Sequence, residues 1–216
     1  MSQVALPVPL LQLLSKLRAQ GVADERVLQA LAATPRELFL PESLRPRAWE
    51  DFAFEIGFGQ TISQPSVVAR MTALAEIRPQ DRVLEVGTGS GFQAAVLARL
   101  ARFVFTVERI PQLAAQARRR LAELGLANVT VQVMDGSLGW RAHAPYDVIM
   151  LTAACPSVPR PLLEQLAPHG RLVAPVGDLR RQELVRVVRN EQGFVSESFG
   201  PASFVPLVGK EGFGLP

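Results

Sequence analysis

Residues 82–95, Arg82-Val83-Leu84-Glu85-Val86-Gly87-Thr88-Gly89-Ser90-Gly91-Phe92-Gln93-Ala94-Ala95, constrain this chain more than any other stretch. Val83, Leu84 and Val86 make a short apolar strand, three glycines at alternate positions make a turn, and Gln93 to Leu100 continues as an Ala- and Leu-rich helix. Glycine lets the backbone take conformations closed to other residues and approach a ligand closely. The helix start behind the turn offers N–H groups and the positive end of a dipole. A dinucleotide fold would place a pyrophosphate there, with spacing G-x-G-x-x-G. Here the spacing is G-x-G-x-G, and Glu85 stands on the strand just before the turn. That carboxylate would repel a pyrophosphate and suits a ligand with a cationic amino group.

The next two strands narrow the ligand. Phe103-Val104-Phe105-Thr106-Val107 is followed by Glu108, 17 residues past Gly91. An acidic residue at the end of the second strand is the usual acceptor for ribose hydroxyls. A third apolar run, Val129–Val133, ends at Met134-Asp135-Gly136, where a carboxylate can take an adenine amino group. Glycine turns alone say little. Three acids at three strand ends point to S-adenosyl-L-methionine, whose ammonium suits Glu85 and whose carboxylate suits the helix start.

With 216 residues the chain can bury a substantial core as one domain with a small appendage. No run of 18 apolar residues exists to span a membrane, and the N-terminus reads as a poor signal peptide. Cys155 is the only cysteine, which excludes an internal disulfide and accords with a cytoplasmic location. The net charge is +3, and all the basic residues but Lys16 and Lys210 are arginines. The densest cluster, Arg118-Arg119-Arg120, lies on a helix where successive side chains point about 100° apart. They fan out as solvated surface rather than forming a stripe for nucleic acid.

Residues 1–55 read as a helical cap and 56–216 as the main domain. Leu10, Leu11, Leu13, Leu14 and Leu17 give an apolar face at helical spacing, Asp24 is placed to cap a helix from Glu25, and Thr34-Pro35-Arg36-Glu37 offers a capping box. Gly57 and Gly59 argue for a tight loop, and Pro65 for the first turn of a helix. Gln60 to Ser63 thus sit at a loop–helix junction, where polar groups often face a ligand. Ser63 there is either a helix cap or a ligand-facing hydroxyl, and Gln60 either a backbone-bonded loop residue or part of a site. Pro111 opens a helix ended by Gly125. Tyr146–Thr152 is the fourth strand, Arg171–Val176 the fifth, and Glu183–Arg189 with a segment near Phe204-Val205 the last two. His143 and His169 read as surface residues, and two histidines and one cysteine so far apart make no metal site.

Gly59-Gln60-Thr61-Ile62-Ser63-Gln64-Pro65, with Val83–Ala95, Thr106-Val107-Glu108-Arg109, Ala144-Pro145-Tyr146-Asp147, Thr152-Ala153-Ala154 and Phe204-Val205-Pro206-Leu207, resembles the protein-L-isoaspartate O-methyltransferase family. The resemblance covers about Val27 to Leu207. It implies a doubly wound, Rossmann-like α/β methyltransferase fold, its seven-stranded, mostly parallel sheet ending in an antiparallel strand. It implies a cytoplasmic, monomeric enzyme that methylates isoaspartyl carboxylates in aged proteins, with S-adenosyl-L-homocysteine as product and no metal. On that resemblance Ser63 is the catalytic candidate. The cofactor candidates are Gln60, Thr61, Ile62, Glu85, Gly87, Thr88, Gly89, Ser90, Gly91, Glu108, Arg109, Met134, Asp135, Gly136 and Thr152. Trp49, Phe52–Glu55, Met134, Cys155 and His169 depart from the family pattern. Two rival readings remain: a methyltransferase of RNA, DNA or a small molecule, with Cys155 as a nucleophile after the fourth strand, and a non-enzymatic module that keeps the fold.

Overall fold

The computed structural model describes residues 6–214; the outermost parts of the two expected spans, 1–5 and 215–216, lie outside the described residues. Two helices open the chain, α1 (Val8–Ala19) and α2 (Glu25–Ala32). Leu10, Leu13, Leu14 and Leu17 bury one face of α1, and Asp24 caps α2 by accepting the Arg26 N–H. The expected capping box at Thr34 does not form. Its hydroxyl donates back to the Ala30 carbonyl one turn earlier, a bond open to Thr on a helix. Two 3-10 turns, Arg36–Phe39 and Glu42–Arg47, carry the chain past Pro41 and Pro46.

A small hairpin follows, β1 (Phe54–Gly57) and β2 (Gln60–Ile62), where a loop was expected. Gly57, Phe58 and Gly59 all have positive φ, which reverses the chain in so few residues. β1 straddles the expected boundary at 55/56. Helix α3 (Pro65–Leu74) then begins at Pro65, as the sequence suggests.

The main sheet holds β3 (Arg82–Val86), β4 (Phe103–Glu108), β5 (Val129–Val133), β6 (Tyr146–Leu151), β7 (Leu166–Gly177), β8 (Gln182–Asn190) and β9 (Gly193–Ala202). Their order is β5-β4-β3-β6-β7-β8-β9. The first five pair in parallel, β8 pairs antiparallel with β7, and β9 pairs antiparallel with β8. Helices α4 (Phe92–Ala98), α5 (Pro111–Glu123) and α6 (Arg160–Glu164) make the crossovers. Strand alternation divides the core in two: Val83, Val104 and Val148 pack on one face, and Leu84, Phe105 and Ile149 on the other. Asp81, at the foot of β3, meets Arg171 of β7 in a buried ion pair of 2.6 Å.

Two expectations need correction. The last strand is Gly193–Ala202, not a segment at Phe204-Val205. The latter is a strap beside the loop after β6, where Ala154 N–H donates to the Val205 carbonyl and Leu207 N–H to the Ala154 carbonyl. His143 is not free on the surface: it stacks on Phe105 at 4.4 Å and meets Trp140 edge-on. The three arginines of α5 fan out, Arg118 and Arg119 exposed and Arg120 half-buried. Arg118 donates to the Val131 carbonyl and Arg120 to the Ser90 carbonyl.

Candidate functional site

Strand order reverses between β3 and β6, and in a doubly wound sheet the crevice opens at the carboxyl ends of such strands. A cleft with about 820 Å3 of atom-free space, part of it open to solvent, lies there. The loop after β3 forms its floor. Gly87 has φ +104, and a Cβ on it would lie 2.5 Å from the Thr152 hydroxyl oxygen, which donates to the Gly87 carbonyl at 2.6 Å. That position therefore admits only glycine. Gly91 is the residue before α4, with φ +91, and lets the loop press against Ala117 rather than lining the cleft.

The loop spends several N–H groups internally. Gly87 and Thr88 both donate to the Val107 carbonyl, Gly91 to the Thr88 carbonyl, and Gly89 to Glu108 at 2.8 Å. The other Glu108 oxygen accepts the Ile110 N–H at 3.0 Å. Glu108 is thus nearly buried, oriented from both sides and on the cleft wall.

Glu85 is placed otherwise than expected. Its carboxyl is fully buried and does not line the cleft. It connects to the cleft through two hydroxyls: Thr106 donates to it at 2.5 Å, and Thr88, on the cleft wall, bonds Thr106 at 2.6 Å. Among the described residues one Glu85 oxygen has no partner. Burial, reinforced by the charge of Glu108 and opposed by the Thr106 bond, pushes the Glu85 carboxyl up to about 8.

Asp135 and Met134 line a neighbouring depression with Arg109, Val208 and Lys210. Asp135 caps the short 3-10 turn after it by accepting the Ser137 N–H and hydroxyl, and its second oxygen accepts the Lys210 N–H. Burial opposes ionisation, but the bonds from Lys210 and Ser137 outweigh it and hold this carboxyl below the usual range. Gln60, Thr61, Ile62, Thr88, Ser90, Arg109, Gly136 and Thr152 line the cleft together with Gly87, Gly89 and Glu108.

Ser63 also lines the cleft, and equally a second cavity bounded by Ala53, Gln64, Val67 and Pro201–Val205. Its competing role disappears: the residue before α3 is Gln64, and the first free N–H of that helix, on Ser66, is taken by Asp51. Among the described residues the Ser63 hydroxyl has no hydrogen-bond partner, while the Gln60 amide donates to the Phe58 carbonyl at 3.3 Å. Sequence reasoning misses Phe204 to Val208 as cleft wall, because the Phe204-Val205 segment reads as a strand. It also misses Phe92 and Gln93 of α4. Cys155 lines neither cavity, and burial pushes its thiol up to about 12, which removes it as a nucleophile. Among the described residues no cluster of His, Cys, Asp and Glu could hold a metal ion.

Sheet order and cleft together define a methyltransferase of the doubly wound α/β class. The family profile of protein-L-isoaspartate(D-aspartate) O-methyltransferases matches residues 11–212, and the chain belongs to that family. It is 52% identical over 200 residues to the protein-L-isoaspartate O-methyltransferase of Protochlamydia amoebophila, covering 92% of this chain and 95% of the relative. It is 51% identical over 198 residues to that of Methanoculleus marisnigri, covering 92% and 90%. A solved protein-L-isoaspartate O-methyltransferase superposes with TM-score 0.83 at 30% identity, over 94% of this chain and 67% of the other. A Plasmodium falciparum protein assigned to the same activity, in complex with S-adenosyl-L-homocysteine, shares the fold at TM-score 0.80 and 21% identity, over 91% and 97%.

Proposed function

We propose that this chain methylates the free α-carboxylate of L-isoaspartyl residues in damaged proteins and peptides, using S-adenosyl-L-methionine. The observation that carries this reading is the position of Ser63, on the wall common to the two cavities and with its hydroxyl uncommitted. The cleft fits the cofactor's chemistry. Glu108 is a buried carboxylate for ribose hydroxyls, and Glu85 reaches the cleft only through the Thr106 and Thr88 hydroxyls, the second of which faces the ligand. Gly87 keeps the floor free of side chain, and Asp135 and Arg109 extend the site toward an adenine. When bound, the cofactor supplies an electrophilic methyl on a sulfonium.

The chain's own task is positioning. An isoaspartyl carboxylate is ionised at neutral pH, so no general base is required, and the residues present supply none. Ser63 donates to that carboxylate and turns it toward the cleft, while Phe204 and Val205 wall off water between the cavities. Holding two reactants in line in this way is worth roughly 7–11 kcal/mol. Isoaspartyl-bearing proteins are the partners of this reading, and action as a cytoplasmic monomer goes with it; size-exclusion chromatography with light scattering checks the latter. Labelled methyl transfer to isoaspartyl peptides of unrelated sequence, and none to their aspartyl twins, is the expected result. Equal rates on both, or activity on nucleic acid alone, would end the reading.

A further inference from the structure

Arg36 is completely buried, yet among the described residues no carboxylate is within bonding distance of its guanidinium. A charge taken out of water is costly unless its donors are satisfied, and a hydrophobic residue of similar volume often serves a scaffold as well. Among the described residues the Arg36 Nε has no partner, while Nη1 and Nη2 are directed at three backbone carbonyls. They belong to Ala48, to Phe52 at 2.9 Å and to Ser63 at 2.9 Å. The guanidinium also sits 5.5 Å from the ring centroid of Phe54 in β1 and 5.8 Å from that of Phe92, the first residue of α4 after the glycine loop. Phe39, one helical turn on, packs edge-on against the same Phe92 at 5.4 Å. From the other side Asp51 accepts the Ser66 N–H at the start of α3. Burial lowers the Arg36 pKa to about 10, which leaves it a cation at neutral pH.

One rigid, planar group therefore touches both halves of the reaction centre: the backbone of Ser63 on the acceptor side and the residue behind the glycine loop on the donor side. A serine hydroxyl has only χ1 of its own, so its place is otherwise inherited from its backbone. We propose that Arg36 is a positioning residue, which acts through the Ser63 carbonyl to hold the Ser63 hydroxyl in line with the donor cleft. This rests on the role of Ser63 given above.

The test is a kinetic cycle of Arg36→Lys, Arg36→Met, Ser63→Ala and the two doubles, on an isoaspartyl peptide, with cofactor affinity and melting temperature measured in parallel. Lysine keeps the charge but cannot span three carbonyls. For Arg36→Lys the expectation is a kcat lower by about tenfold, with peptide KM and cofactor Kd within about twofold. In either double, kcat should fall less than about threefold below that of Ser63→Ala alone, since both changes remove the same contact. Millimolar ethylguanidinium should restore part of the kcat of Arg36→Ala and none of that of Arg36→Ala combined with Ser63→Ala. Multiplicative losses, an unchanged kcat in Arg36→Lys, or a lysine variant that does not fold would assign Arg36 to the scaffold alone and overturn the proposal. A Ser63→Ala enzyme with normal turnover would instead overturn the role of Ser63, a separate and distinguishable failure.

Discussion

The donor cleft and the acceptor groove share a wall but are built by different means. On the donor side Thr88, Glu108 and Thr152 stand at or just past the carboxyl ends of parallel strands and are fixed by neighbouring strand ends: Thr152 holds the Gly87 carbonyl, and Glu108 holds the Gly89 N–H. On the acceptor side Ala53 and Ser63 flank the small β1–β2 hairpin, Val67 lies on α3, and residues 201–205 run from the end of β9 into the strap, so the groove is gathered from elements outside the parallel ladder. The Gln182 side chain grips the backbone N–H and carbonyl of Phe204, and Ala154 brackets Val205 and Leu207. A site written into strand ends inherits the rigidity of the sheet. A site gathered from loops depends on a few side chains that reach across.

This contrast predicts stability effects on the donor side and kinetic effects on the acceptor side. The largest belongs to Glu85. Its carboxyl titrates near 4.5 when unfolded and about 8 when buried. The stability it contributes is whole below about 4.5 and is lost as pH rises through about 8. Urea titrations should find the ligand-free protein weaker at pH 8 than at pH 5. Glu85→Gln should remove that slope and add on the order of 3 kcal/mol at pH 7. An identical slope in the variant would mean that Glu85 is solvated. Next comes Glu108→Ala, which leaves two N–H groups bare and removes the ribose acceptor. Calorimetry should show cofactor affinity reduced by about 2–3 kcal/mol, and unchanged affinity would remove Glu108 from the site.

On the acceptor side, Ser63→Ala should lower kcat tenfold or more, about 1.4 kcal/mol, at unaltered cofactor affinity and melting temperature. An earlier melt with normal turnover would make Ser63 a structural residue after all. The smallest effect is expected for Gln182→Ala, which frees Phe204. Peptide KM should rise by roughly fivefold, about 1 kcal/mol, with cofactor binding intact. A matching loss of cofactor affinity would show that the strap serves both cavities equally and erase the contrast.

The same contrast explains what could be read from the residues. β5 was legible to the residue, because on this edge strand Val129, Val131 and Val133 alternate with the exposed Thr130 and Gln132, and its ends are marked by Asn128 and the Asp135-Gly136 turn. The glycine loop was legible because its conformations exclude other residues. The β1–β2 hairpin was not, since strands of four and three residues outside the main sheet carry too short a pattern. Strand ends located Glu85 but not its depth. Asp135-Gly136-Ser137 is itself a capping sequence, and read as one it would have anticipated where that carboxylate points. Arg36 gave no signal at all, because its partners are backbone carbonyls 12, 16 and 27 residues away.

The strap has a consequence for how the molecule comes apart. Residues 203–208 hang on a handful of hydrogen bonds to Gln182 and Ala154, whereas β3 is enclosed on both faces. Segments held so sparsely open at a lower free energy than the sheet behind them. Amide protons at Val205 and Leu207 should exchange with deuterium long before those of Leu84 or Ile149. In rising urea, methyl transfer should then vanish while the circular dichroism of the sheet is still that of the native protein.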